Sequence, residues 1–95
     1  MKIALAPEAV EDLAAAVAYL YERNPQAAAE MADRVFAAID SLAAREFDGP
    51  ECELRRTGER VRSWSVRPYR LYYRREGDTF IVLRLHHSAR RPIAR

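Results

Sequence analysis

The side chains in this sequence best equipped for chemistry are arginines, and they crowd its C-terminal half. Residues 51–95 hold twelve arginines, among them Arg60, Arg62, Arg70, Arg84 and Arg90, against five acids. Guanidinium forks recognise phosphate and carboxylate oxygens in bidentate fashion, so this half has the makings of an anion-binding surface. Arginine is a poor proton carrier, because its pKa lies above about 12. Groups that move protons near neutral pH are few, since His86 and His87 are the only histidines. Neighbouring positions on a strand face opposite ways, so these two histidines do not share a metal. The single cysteine, Cys52, can neither close an internal disulfide nor complete a zinc ligand set. Neither a metal nor a cofactor is expected.

The net charge of +2 hides a split between the halves of the chain. Residues 1–50 carry four basic side chains against nine acidic ones, a net of −5, whereas twelve against five makes residues 51–95 +7. Such asymmetry points to an anionic partner, either nucleic acid or an acidic protein. A chain of 95 residues that is 49% hydrophobic and 32% charged has the composition of one globular domain, spanning 1–95, and excludes a disordered chain. No run of 18 apolar residues exists to span a membrane. Acids appear by Glu8, too early for a signal-peptide apolar region, so a cytoplasmic location is expected.

The elements that must position the arginines follow from periodicity. Lys2–Ala6 is a short apolar strand stopped by Pro7, and Pro7 suits the first turn of a helix over 7–22. Ala6 supplies no side-chain cap to that helix. Asn24-Pro25 ends the first helix and starts a second, in which Ala28, Met31, Ala32, Val35, Phe36, Ile39 and Leu42 recur at helical spacing. So short a link forces an antiparallel hairpin of helices. Residues 46–59 contain Gly49-Pro50 and Gly58 without periodicity and read as a loop. Strands are expected at 60–66, 69–75 and 79–87, joined by tight turns at Arg67-Pro68 and Glu76-Gly77-Asp78.

Simple alternation puts Tyr69, Leu71 and Tyr73 on one face of the middle strand and Arg70, Tyr72 and Arg74 on the other. It pairs Ile81 with Leu83 and Leu85 in the last strand, and Arg60 and Arg62 with Trp64 and Val66 in the first. A bulge in 60–66 would relieve that last mixture of charge and apolar side chains. Arg74 and Arg75 read as a solvated strand end. The fold class is α+β: a short N-terminal strand, and an antiparallel two-helix hairpin on a mainly antiparallel sheet with three C-terminal strands.

This order of elements, with its punctuation, resembles the RelE/ParE superfamily of bacterial toxins. The residues that carry the likeness are Pro7-Glu8 with Asp12-Leu13, then Asn24-Pro25, Asp48-Gly49-Pro50, Tyr69-Arg70-Leu71 with Tyr73-Arg74, and Arg84, His87 and Arg90. The resemblance implies one of two activities. RelE-like members are ribosome-dependent ribonucleases that cut mRNA; ParE-like members instead bind DNA gyrase and trap it on cleaved DNA. In a RelE-like reading Arg70 contacts the scissile phosphate, Arg90 and His87 complete the catalytic set, and Arg60 or Arg62 stands in for a lysine. The tyrosine such ribonucleases carry near the C-terminus is absent, as are their lysines, and arginine does not replace a proton-transferring lysine. The HHSARRP tail looks more like ParE, so a gyrase inhibitor with no catalytic residues is the favoured expectation. A basic nucleic-acid-binding module without toxicity is the third class, and the helical hairpin argues against it.

The resemblance also implies a co-encoded antitoxin as partner, whose acidic or amphipathic C-terminal segment folds over the toxin, with a toxin–antitoxin hetero-oligomer as the resting form. A single two-helix layer leaves apolar area uncovered, which suits an amphipathic helix. Leu13, Val17, Tyr21, Met31, Val35 and Phe36 are the candidates for that groove, and equally for the core.

Overall fold

The computed structural model describes residues 1–95, in the order β1 (Lys2–Leu5), α1 (Pro7–Arg23), α2 (Pro25–Ala43), β2 (Glu51–Glu53), β3 (Arg60–Val66), β4 (Tyr69–Glu76) and β5 (Thr79–His87). The helices start as their sequences dictate. Ala6 makes no side-chain cap to α1, whereas the Asn24 side-chain oxygen accepts from the backbone N–H groups of Gln26 and Ala27 at 3.1 and 3.2 Å. Five strands form one sheet in the order β1-β5-β4-β3-β2. β1 runs parallel to β5, and every other pairing is antiparallel.

The helical hairpin covers one face of the sheet. Met31, Val35, Ile39 and Leu42 of α2 and Ala9 and Ala16 of α1 join Leu71, Tyr73, Phe80, Val82 and Leu85 in a continuous buried cluster. The other face is crossed by the C-terminal tail. After β5 the chain turns back and pairs with residues 53–55: Arg55 N–H donates to the Ile93 carbonyl at 2.8 Å, and Glu53 and Arg95 exchange two bonds. Reaching β2 from β5 means passing β4 and β3, and His86 marks the side, since its Nε2–H donates to the Arg91 carbonyl at 2.8 Å. Register puts His86 level with Arg70, on the face opposite His87 and Tyr69.

Three expectations about the sheet are corrected. Residues 51–53, expected within a loop, form β2 by pairing with Arg60–Arg62. The expected bulge in 60–66 is absent, because β3 pairs with β4 in unbroken register. The irregularity lies in β5, where Tyr72 pairs with Arg84 but Tyr73 with Val82, leaving Leu83 as the extra residue. That extra residue changes which side chains reach the core. Phe80 and Val82, at 0% and 2% exposure, are buried in place of the expected Ile81 and Leu83, while Leu85 is buried as expected at 5%.

Alternation in β3 nevertheless holds, and Arg62, Trp64 and Val66 share the helix-side face with Tyr73, Leu71 and Tyr69. The conflict that seemed to demand a bulge is resolved by residues 46–50 instead. Phe47 stacks on Trp64 with ring centroids 4.3 Å apart, and Arg62 donates to the Gly49 carbonyl at 2.7 Å.

Candidate functional site

The five side chains of the ribonuclease reading do not converge. Arg62 lies level with Tyr73, and His87 level with Tyr69, on the same face of the sheet. Four residues of strand separate those levels, about 13 Å. Arg70 is on the opposite face, donating to the Ser63 hydroxyl at 3.0 Å. Arg60 is exposed at the sheet margin, 3.7 Å from Glu51. Apart from Arg70 they fall into two separate groups: Arg60 and Arg62 line a 310 Å³ pocket beside Asp48, and His87 and Arg90 a 370 Å³ pocket between α1 and the Arg67-Pro68 turn, lined also by Tyr19 and Tyr69.

The state of His87 limits what that pocket can do. Its Nδ1 accepts the Ala89 N–H at 3.1 Å, and its ring meets the edge of Tyr69. A neutral imidazole has one acceptor nitrogen, so the lone pair a general base would use is already engaged. No group of three or more His, Cys, Asp or Glu side chains is placed to hold a metal ion.

The best organised polar constellation is one that sequence reasoning missed. Tyr73, fully buried, donates its hydroxyl hydrogen to the Asp48 carboxylate while its oxygen accepts the Gly49 N–H at 2.8 Å. Arg75 donates to both Asp48 oxygens at 3.2 and 3.3 Å and to the Leu42 carbonyl at 2.7 Å. Arg62 Nε lies 3.5 Å from the same carboxylate. Burial by itself lifts the Asp48 carboxyl, but hydrogen bonds from Tyr73 and Arg75, with the charges of Arg75 and Arg62, outweigh it and hold it below the ordinary carboxylate value. Burial, reinforced by the Asp48 hydrogen bond, pushes the Tyr73 phenol up to about 12.

Arg75 is therefore no solvated strand end, since its side chain is only 11% exposed. It faces inward with Tyr73 because its partner in the register is the core residue Phe80. The knot binds the end of α2, the 46–50 loop and β4 together. Gly49 makes the approach possible, for a Cβ there would stand 1.7 Å from the Ser63 carbonyl oxygen. A readable signal existed, namely an arginine in phase with Tyr69, Leu71 and Tyr73.

A second missed pair closes the other side of the sheet. β1 ends at Leu5, and the Asp12 carboxylate then takes over at the vacated edge of β5, accepting the Leu85 N–H at 3.0 Å. It also accepts from Arg84 Nε and Nη2 at 2.7 and 3.2 Å. That bond to Asp12 raises the Arg84 pKa, so the guanidinium stays charged. Asp12 lies between Ala9 and Ala16 on the buried stripe of α1, where an acid calls for a partner.

The candidates for a partner groove separate by burial. Met31 and Val35 are 1% and 2% exposed and belong to the core, which withdraws them from any groove in this conformation. Leu13 and Val17 are half-buried against that core, whereas Tyr21 and Phe36 are 62% and 47% exposed. No helix is long and apolar enough to cross a membrane.

Comparison with known proteins agrees with this architecture. One solved structure, described as the chromosomal ParDE TA system from P. aeruginosa, contains a chain similar to this one. The TM-score is 0.71 at 20% identity, covering 92% of this chain and 95% of that one, which shows a shared fold. No curated protein matches. The profile of the ParE toxin of the type II toxin-antitoxin system parDE matches residues 3–92, and on that match the chain belongs to the ParE toxin family.

Proposed function

We propose that this toxin inhibits DNA gyrase, in the cytoplasm where gyrase works, and that a co-encoded antitoxin holds it silent. The observation that carries the reading is the ParE family match across residues 3–92. Its chemistry fits a binder better than a ribonuclease. Phosphodiester cleavage needs proton transfer and charge stabilisation within reach of one phosphate. Here Arg70 is across the sheet from His87, and the His87 acceptor nitrogen is occupied.

The same geometry supports a surface for the antitoxin. Leu13, Val17 and Tyr21 are spaced by four residues and form one stripe along α1. With the exposed Phe36 of α2 they offer an apolar track for an amphipathic helix.

Purified gyrase provides the test. The protein should block supercoiling or accumulate cleaved DNA, and an added antitoxin should restore activity. Gyrase that is unaffected at micromolar toxin refutes the proposal. Cuts in translated mRNA, seen by primer extension and lost in Arg70→Ala, would transfer the protein to the ribonuclease class.

A further inference from the structure

The sheet face crossed by the tail carries a cleft of about 800 Å³, walled by the 54–59 loop and by Arg91-Pro92-Ile93 and lined by none of the five residues of the ribonuclease reading. Five arginines and two glutamates line it. Arg84 is committed to Asp12, and Arg74 to Glu59 at 2.8 Å and Glu76 at 3.3 Å, which also neutralises one of the two glutamates. Arg55, Arg56 and Arg91 remain, all exposed and engaged by no side-chain hydrogen bond or ion pair. Three free guanidiniums in one cleft repel each other, and a polyanion relieves that repulsion.

We propose that this cleft is a binding site for the phosphodiester backbone of a nucleic acid, with Arg55, Arg56 and Arg91 as its phosphate contacts. The backbone hydrogen bonding of the walls favours this ligand over an acidic peptide. A peptide laid along the 53–55 segment would need free strand-edge groups, and those are taken: Glu53 and Arg55 are paired to the tail, and Leu54 N–H donates to the Glu59 carbonyl. A phosphodiester needs charge and donors only, which the guanidinium forks supply. Leu54, Leu83 and Ile93 lie among the arginines as apolar surface for sugar and base faces. The site stands apart from the gyrase reading, and the isolated protein tests it.

The experiment is fluorescence anisotropy of the full chain with a short labelled DNA duplex and with a single-stranded RNA of equal phosphate count. A poly-glutamate peptide of equal charge serves as competitor. Three phosphate contacts predict a slope in log affinity against log salt of about −2.7 on the duplex and about −2.1 on the single strand, losses of about 40-fold and 20-fold between 50 and 200 mM. The triple variant Arg55→Ala/Arg56→Ala/Arg91→Ala should be shallower by the corresponding amount, and the reversal Arg56→Glu should weaken binding in the same direction. A charge-matched control, Arg23→Ala/Arg34→Ala/Arg67→Ala, should retain the slope. Binding of the DNA, the RNA or both in this pattern supports the proposal and names the source of the backbone. It is overturned if neither nucleic acid binds at 50 mM salt, if both triple variants lose equally, or if poly-glutamate binds more tightly than either nucleic acid.

Discussion

Replacing Tyr73 by phenylalanine isolates the knot that joins α2, the 46–50 loop and β4. The ring is fully buried and stacks on Phe80 at 4.9 Å, so Tyr73→Phe keeps the packing and deletes one oxygen. That oxygen donates to the Asp48 carboxylate and accepts the buried Gly49 N–H. A hydrogen bond to a charged group contributes about 1.5–3 kcal/mol, and a buried N–H left without its partner costs about 1–3 kcal/mol. The Asp48 carboxylate, 3.2 Å from the same N–H, retains part of the second contribution. A net loss of about 2–4 kcal/mol is expected.

Urea unfolding measures this loss as a lowered midpoint at unchanged m-value. A second, independent reading comes from alkaline pH. The Tyr73 pKa is raised in the folded state from 10.0 to about 12, so its stabilisation is complete below pH 10 and disappears as pH rises through 12. Two pH units correspond to about 3 kcal/mol, of the same size as the hydrogen-bond figure. The stability gap between the wild-type protein and Tyr73→Phe should therefore close between pH 10 and 12. A loss below about 0.5 kcal/mol, within the range of a neutral surface change, would refute the argument. So would a gap that stays constant across that pH range.

At Gly49, alanine would drive a Cβ into the Ser63 carbonyl, and Gly49→Ala should cost more than about 3 kcal/mol, seen as loss of soluble protein or a steep fall in Tm. Asp12→Ala strips the Leu85 N–H and Arg84 of their acceptor; chemical denaturation should show about 2–3 kcal/mol lost, discounted for the partial exposure of the pair. In acid, the Asp48 carboxylate contributes stability above its ordinary value and loses it as pH falls through its lowered one, so Asp48→Asn should flatten the acid limb of the stability profile. Tyr21→Arg combined with Phe36→Arg should weaken antitoxin binding by calorimetry at least tenfold, while thermal stability changes little because both side chains are exposed.

The helical hairpin was legible because its signals are local. Asn24 caps α2 through groups two and three residues away, and Pro7 and Pro25 mark where each helix begins. Met31, Val35, Ile39 and Leu42 announce a buried stripe by their spacing alone. Strands β3, β4 and β5 were legible for the same reason, through runs of β-branched and aromatic residues between turns. The family likeness was carried by the order of these local signals, and the match over residues 3–92 agrees with it.

The site was not legible in that way. Arg60, Arg62, Arg70, His87 and Arg90 are close in composition and kinship, yet pleat and register distribute them over two faces and opposite ends of the sheet. Period-2 alternation assigns faces only while the strand is regular, and one extra residue at Leu83 inverts everything beyond it. Burial of Arg75 depends on Asp48, 27 residues away, and the role of Asp12 on Leu85, 73 residues away.

The sequence by itself determined every element but β2, their order and the separation of an acidic helical layer from an arginine-rich sheet, since these rest on neighbours along the chain. The tertiary structure alone decided which arginines are consumed. It locks Arg62, Arg75 and Arg84 into ion pairs and leaves Arg55, Arg56 and Arg91 free around a cleft. A guanidinium becomes structural or functional according to whether a carboxylate lies within about 4 Å, and that distance is set by folding.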